Sequence, residues 1–377
     1  MDFSFTEEQQ MLQDSVQKFV RENYDFDTRK TILASDRGFS DANWQLFAEL
    51  GWLTVPFAEE DGGFGGSAVD LMVMMEELGK ALVLEPFVPT AVLAGGLVAG
   101  LGTDSQKAEL LPKIMAGELQ LACAISEPES RYNLANVATT ATVKGDHVVL
   151  DGNKVAVLNG ANADQLLVVA RSAGSRTDRD GISVFLVEGD ADGIHRHAYR
   201  TIDGHMAANI QLQNVKIAAD NCLGDAGKAL QELEKVVDLA TVAIAAEGVG
   251  ILEALLQKTV EYCKTRKQFG VPIATFQALQ HRMADMFIEC QLARSIVMMA
   301  AMKLNSSADD REKSRSVSAA KSRLGKAIFA VGQEALQLHG GIGMTDELDV
   351  AHLFKRVTAI ETQFGNTDFH TGRFARR

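Results

Sequence analysis

His147-Val148-Val149-Leu150-Asp151-Gly152-Asn153-Lys154-Val155-Ala156-Val157-Leu158 lies in the middle of the chain and carries no helical period. Apolar residues gather on both sides of Asp151-Gly152, a pair suited to a tight turn. The segment therefore predicts a hairpin in which one strand ends at Leu150 and the next runs from Lys154 to Leu158. The two-residue period begins at about 121, and further strands are expected over 166–170, 182–187 and 209–215, with a polar loop over 171–181. After Gly224-Asp225 the spacing becomes helical, in four long patterns at about 227–264, 275–305, 309–338 and 346–371.

Upstream, Thr6-Glu7-Glu8-Gln9 reads as a capping box, and Leu12, Val16, Phe19 and Val20 follow at helical spacing. Ser40 and Asp41 start another helix, with Trp44, Phe47 and Leu50 on its apolar face and Gly51 at its end. Glu59-Glu60-Asp61-Gly62-Gly63-Phe64-Gly65-Gly66 is a loop whose glycines imply positive φ or close backbone approach. Helices are expected again at about 67–84, 88–101 and 105–116. The order helices, strands, helices has no βαβ alternation and excludes a doubly wound nucleotide fold. The fold class is mainly α with a central antiparallel β-domain: a helical N-terminal domain over 1–120, a middle β-domain over 121–224 and a C-terminal four-helix bundle over 225–377.

With 377 residues, 46% of them hydrophobic and 23% charged, the chain can bury large cores; that balance excludes a disordered protein. Lys and Arg number 37 against 50 Asp and Glu, and the resulting charge of −13 makes nucleic acid a poor partner. Cys123, Cys222, Cys263 and Cys290 are isolated, which suggests neither a zinc site nor a disulfide framework. The acidic start Met-Asp-Phe-Ser-Phe-Thr-Glu-Glu is unlike a basic targeting peptide. No apolar run is expected to approach the roughly 20 residues that span a bilayer, so a cytoplasmic location is expected.

Three segments go beyond composition. They are Phe57-Ala58-Glu59-Glu60-Asp61-Gly62-Gly63-Phe64-Gly65, Thr265-Arg266-Lys267-Gln268-Phe269-Gly270 with Phe276-Gln277, and Gln337-Leu338-His339-Gly340-Gly341-Ile342-Gly343. In this order, around a central β-domain, they resemble the acyl-CoA dehydrogenase family over almost the whole chain. The resemblance implies an FAD enzyme that removes a proton from the α-carbon and a hydride from the β-carbon of an acyl-CoA. The product is a 2-enoyl-CoA, and electrons leave to an electron-transferring flavoprotein. It also implies that a neighbouring subunit holds the ADP part of each FAD through the R-x-Q-F-G and Q-x-x-G-G-x-G segments. The residue types suit that role. Arg266 offers a planar fork for pyrophosphate oxygens, Gln268 and Gln277 offer amide donors, and Phe269 packs on an apolar cofactor edge. Gly340, Gly341 and Gly343 let main chain come close to a diphosphate, although alone they also read as a left-handed turn between helices.

Other positions depart from the family. Counted without gaps from Gln337, Phe364 stands where the usual catalytic Glu would be, and the alternative Glu position falls on Ala240. The flavin-side run becomes Ser126-Glu127-Pro128-Glu129-Ser130-Arg131-Tyr132-Asn133, which keeps a hydroxyl at Ser126. The family's Trp-x-Thr becomes Ala156-Val157-Leu158, and its substrate-side Arg becomes Thr241. The ending Phe364-Gly365-Asn366-Thr367-Asp368-Phe369-His370, with Ser130-Arg131-Tyr132-Asn133-Leu134, resembles the small subunit of the pimeloyl-CoA dehydrogenase type. That resemblance implies a homologous large subunit carrying its own Glu, with the present chain completing an FAD site in trans. A self-sufficient homo-oligomer with an unconventional base is the alternative, and a flavin-free scaffold or acyl-CoA binder is a third.

Glu247, alone in an apolar helical stretch, is the candidate for such a base, against a salt-bridged or hydrogen-bonded structural role. Asp368, one turn beyond Phe364, reads first as a helix-surface carboxylate. His195 and His197 share a strand face without a third ligand and read as a surface pair. Arg171, Arg176 and Arg179 form a local basic patch that either meets CoA phosphates or lies in a solvated loop.

Overall fold

A computed structural model of the chain describes residues 4–376; the first three residues of the acidic start and Arg377 lie outside it. In chain order the first helices are α1 (Glu7–Asn23), α2 (Phe26–Ala34), α3 (Asp41–Glu49), α4 (Ala68–Lys80), α5 (Gly95–Leu101) and α6 (Asp104–Met115). Eight strands follow: β1 (Leu121–Ala124), β2 (Thr140–Lys144), β3 (His147–Leu158), β4 (Gln165–Arg171), β5 (Ile182–Glu188), β6 (Ile194–Arg200), β7 (Met206–Ala218) and β8 (Cys222–Leu223). Then come α7 (Leu230–Thr265), the short pair β9 (Lys267–Gln268) and β10 (Val271–Pro272), α8 (Gln277–Leu304), α9 (Asp310–His339), α10 (Asp349–Thr362) and α11 (Thr367–Arg376). By contacts the chain forms two compact units, one of Ile32–Gly66 and Leu84–Ala240, the other of residues up to Thr31, Ser67–Val83 and Thr241 onward.

The first of these units holds the sheet, in the order β6-β7-β3-β2-β4-β5-β8 with β1 on β4. Its pairing is antiparallel except that β1 lies parallel to β4, as does one residue pair of β2, so the sheet is mixed. The hairpin expected at Asp151-Gly152 is not formed, because β3 runs through that pair without turning. What the dipeptide marks is a bulge: between Leu150↔Val215 and Gly152↔Leu212 the partner β7 carries one extra residue. Asn214 takes a φ of 51° there, and its N–H donates to Asp151 Oδ1 at 2.7 Å. A side chain at 152 would stand 2.4 Å from Thr139 Oγ1, which accounts for the glycine. The true hairpin turn is Gly145-Asp146, between paired Lys144 and His147. Strand β6, which carries His195 and His197 at the expected strand spacing, adds to the strands expected over 166–170, 182–187 and 209–215. In the same unit Ser40 caps α3 as expected, burying Trp44 and Phe47, while Leu50 is exposed. In the glycine loop, Cβ atoms at Gly63 and Gly66 would meet the carbonyl oxygens of Phe57 and Val55 at 2.3 and 2.5 Å.

The other unit is helical. Thr6 makes the expected capping box with Gln9, and Ser67 makes a second one with Asp70. Helix α7 is long and apolar enough to cross a membrane by length and composition, with an 18-residue window of mean hydropathy 1.8, a longer apolar run than expected. Burial of 83% of that window inside the protein identifies it as a core helix. Against it α4 packs backbone to backbone: a Cβ at Gly79 would lie 2.3 Å from the carbonyl oxygen of Glu247, and one at Gly250 1.9 Å from that of Glu76.

The fourth expected helix is two. Between α10 and α11 the chain turns at Phe364 and Gly365, with φ of 55° and 123°. Buried Lys321, on α9, donates from Nζ to the carbonyls of Glu361 (2.9 Å) and Gly365 (2.7 Å). His370 Nε2 lies 3.1 Å from the carbonyl of Phe364. Burial, aided by the nearby Lys321 and Arg373 charges, holds His370 down to about 3 and so keeps its ring neutral.

Gly250→Ala is expected to cost on the order of 3 kcal/mol, read as a lower urea midpoint, because backbone rather than a flexible side chain must give way. An unchanged midpoint would show that the helices can part cheaply. His370 supplies a pH signature. Its folded pKa lies below the unfolded 6.5, so its stabilisation is complete above pH 6.5 and is lost as pH falls toward 3. Between pH 7 and pH 4 the unfolding free energy of the wild type should fall by about 3 kcal/mol more than that of His370→Gln. Parallel curves for the two proteins would refute this.

Candidate functional site

The R-x-Q-F-G segment begins where α7 ends. The Arg266 N–H still donates to the Tyr262 carbonyl at 2.8 Å, and the Ile273 N–H returns to the Arg266 carbonyl at 2.8 Å, closing a small loop. Inside it β9 and β10 pair around Phe269 and Gly270, both at positive φ. Arg266, Gln268 and Gln277 are exposed. The Phe269 ring is 91% exposed, touching Phe276 edge-on at 6.2 Å. Among the described residues the Arg266 guanidinium has no hydrogen-bond or ion-pair partner.

The Q-x-x-G-G-x-G segment closes α9. Gln337, Gly340 and Gly341 are exposed, and a Cβ at either glycine would meet nothing within 4 Å. Gly343 differs, being buried, with a built Cβ 2.8 Å from that of His339. A planar cation without a partner, an exposed aromatic ring and bare main chain are the donor set that the ADP part of FAD requires, so these residues fit the cofactor. Their outward exposure suits a nucleotide held by another chain.

In the sheet unit, the half-buried Ser126 accepts at its carbonyl from the Val155 N–H at 2.9 Å. Next to it the Glu127 carboxylate accepts from the N–H groups of Ala138 (2.7 Å) and Thr139 (3.0 Å) and from Lys154 Nζ (2.7 Å). Burial alone would raise the Glu127 carboxyl; Lys154 and these hydrogen bonds outweigh it and hold it below the ordinary value. Lys154, fully buried, is held below its own ordinary value by desolvation, which Glu127 only partly offsets. Beyond it a second bulge sets Val155 and Ala156 against Asn209, with Ala156 at a φ of 51°. The Ala156 N–H donates to Asn209 Oδ1 at 3.1 Å.

Ala240 and Thr241 are buried in α7. Glu247 is buried too, and both its oxygens are taken by Arg356: Nε–Oε1 at 2.5 Å and Nη2–Oε2 at 2.6 Å. Of the two roles open to Glu247, this is the structural one, with both carboxylate oxygens engaged by a single guanidinium. The basic patch is likewise occupied. Arg171 donates to the carbonyls of Ala135, Val137, Ala173, Arg176, Asp178 and Asp180, while Arg176 pairs with Glu129 and Arg179 with Glu234. Asp368, His195 and His197 are exposed. Among the described residues no group of three or more His, Cys, Asp or Glu could hold a metal. Sequence reasoning missed Lys154 and Lys321. The signal for Lys321 was available, as the lone cation on a small and apolar stripe of α9.

The acyl-CoA dehydrogenase N-terminal, middle and C-terminal domain models match residues 6–118, 122–215 and 233–377. The acyl-CoA dehydrogenase FadE12 of Mycobacterium tuberculosis is 33% identical over 82% of this chain and 80% of its own length. Butyryl-CoA dehydrogenase from Megasphaera elsdenii superposes with a TM-score of 0.90 at 27% identity, covering 100% of this chain and 99% of that one. A chain of the ChsE4–ChsE5 complex from Mycobacterium tuberculosis gives 0.89 at 25% identity, covering 100% and 98%. With three domain models in order along nearly its whole length, this chain belongs to the acyl-CoA dehydrogenase family of FAD-dependent oxidoreductases.

Proposed function

We propose that this chain is the small subunit of a heteromeric acyl-CoA dehydrogenase, its segments 1–120, 121–224 and 225–377 serving as the N-terminal, middle and C-terminal domains. In this reading it lends FAD contacts to a homologous large subunit that carries the catalytic Glu. The observation that carries it is the absence of a carboxylate at both base positions, Phe364 and Ala240. Bound FAD supplies the hydride acceptor for α,β-dehydrogenation of the acyl-CoA. The α-proton needs a separate base, and losing a positioned one forfeits about 10²–10⁴ in rate, roughly 3–5 kcal/mol of barrier. Glu247 does not replace it, being engaged by Arg356. Ala156 and Leu158 offer neither the aromatic face nor the hydroxyl expected at a flavin ring, whereas Ser126 retains one hydroxyl.

What this chain keeps is the edge that reaches outward: Arg266 and Gln268 as donors, Phe269 and Phe276 as apolar cover, Gln277 and Gln337 as amides, and the glycines Gly340, Gly341 and Gly343. The ChsE4–ChsE5 relative supports pairing between chains of this fold. An electron-transferring flavoprotein is the proposed acceptor of the electrons, and the acyl-CoA is bound on the partner's side. Two other readings have less behind them. A self-sufficient homo-oligomer would need a base other than Glu247, which Arg356 engages, and a flavin-free scaffold leaves the unpartnered Arg266 without a use.

The chain purified alone should not oxidise acyl-CoA with an artificial electron acceptor, and its complex with the partner encoded beside it should. Flavin in that complex should amount to fewer than one per chain. Ordinary turnover by the isolated chain would overturn the proposal, and a colourless complex would point to a scaffold.

A further inference from the structure

The two outward-facing segments come from different helices, yet one ring contact joins them. Tyr262, one turn before Arg266 on α7, stacks on His339, the last residue of α9, with centroids 4.5 Å apart and planes 27° from parallel. Tyr262 is tied to Arg266 by the 2.8 Å bond from the Arg266 N–H to its carbonyl. His339 is buried, and its Nδ1–H donates to the Ala335 carbonyl at 2.8 Å, which fixes the ring against its own helix. On its other flank Gly343 comes so close that a Cβ there would lie 2.8 Å from that of His339. The imidazole is thus held by Tyr262 and the Ala335 carbonyl, while its Cβ lies close against Gly343.

We infer that Tyr262 and His339 are positioning residues that lock the Arg266–Gly270 hairpin and the Gly340–Gly343 turn into a single nucleotide-binding surface. Neither residue needs to touch the nucleotide. The hairpin packs little of its own, with Phe269 and Arg266 exposed, so its register relative to the glycine turn depends on the helix end that carries it. Binding one ADP across two segments is favourable only if their spacing is set beforehand; otherwise the ordering cost is paid on binding. An aromatic stack is worth enough to set that spacing without being needed for folding.

The inference rests on the reading that these segments hold FAD, and the test separates the two. FAD release on dilution is followed by flavin fluorescence in the flavin-loaded assembly as purified. Tyr262→Ala and His339→Ala should each weaken FAD binding about tenfold, and the double variant should be little worse than either, because they share one contact. Tyr262→Phe should match the wild type. If Tyr262→Ala fails to fold, Tyr262→Leu keeps the bulk without the aromatic face and should show the same loss. Arg266→Ala reports on the reading itself. If Arg266→Ala weakens FAD binding while the Tyr262 and His339 variants do not, the positioning role is wrong and the reading stands. If Arg266→Ala has no effect, the reading fails. Additive losses in the double variant would also overturn the shared-contact role.

Discussion

The helical unit depends on how closely α4 and α7 approach one another. Each helix presents the pattern Glu-x-x-Gly, Glu76 to Gly79 and Glu247 to Gly250, and each glycine lies against the carbonyl oxygen of the other helix's glutamate. The pairing of 79 with 247 and of 76 with 250 makes the crossing antiparallel and reciprocal. Nothing larger than a hydrogen fits at either glycine, so the two glutamate side chains are displaced from the contact while remaining buried. They meet different fates. Glu247 is neutralised by Arg356, which ties α7 to α10. Burial raises the Glu76 carboxyl to about 7, although Arg294 lies 3.1 Å away and, with Lys80, pulls in the opposite direction. A near-contact of backbones thus produces both an ion pair and a carboxyl poised close to neutrality.

Helix order, the change of period near 121 and the Thr6 and Ser40 caps were legible because each depends on residues within one or two turns. What escaped were features in which local chemistry has two uses. Asp-Gly serves a two-residue turn and a bulge equally well; here the choice is made by β7, more than 50 residues away, where Asn214 accepts the left-handed conformation. The break between α10 and α11 was hidden because Phe364 is not a turn residue and is held at positive φ by contacts from outside its own segment. Strand β6 showed only the spacing of His195 and His197 and no apolar period, because much of it is exposed. For the candidate site, the outward-facing motif residues and a salt-bridged Glu247 could be named from sequence, but the Arg356 partner and the stack of Tyr262 on His339 could not, since each joins residues far apart in the chain.

Irregular backbone in both units is held by buried cations. Lys321 donates to two carbonyls at the Phe364 turn, Arg171 to six carbonyls around its loop, and Lys154 anchors the carboxylate that collects the Ala138 and Thr139 N–H groups. A cation used in this way has its donors directed inward and is unavailable to an anionic substrate. In a chain of net charge −13 that matters, because Arg171 of the local basic patch is directed into its own loop and Arg176 and Arg179 are paired with Glu129 and Glu234.

The departures from the family also differ in how easily they could be reversed. Phe364 sits at a turn and is partly exposed, so a carboxylate there would keep some contact with water. Ala240 has no exposed surface and lies in α7 among buried Val236, Val237, Val242 and Ala243, with Asp238 and Thr241 buried beside it. A glutamate introduced at 240 would need a partner or water for its carboxylate, as any buried charge does. The proposed alternative base position is therefore closed off by packing, whereas Arg266 and Phe269 face outward. The contrast between a buried, carboxylate-free position and an exposed donor set is what favours the proposed supporting role at a flavin held by another subunit.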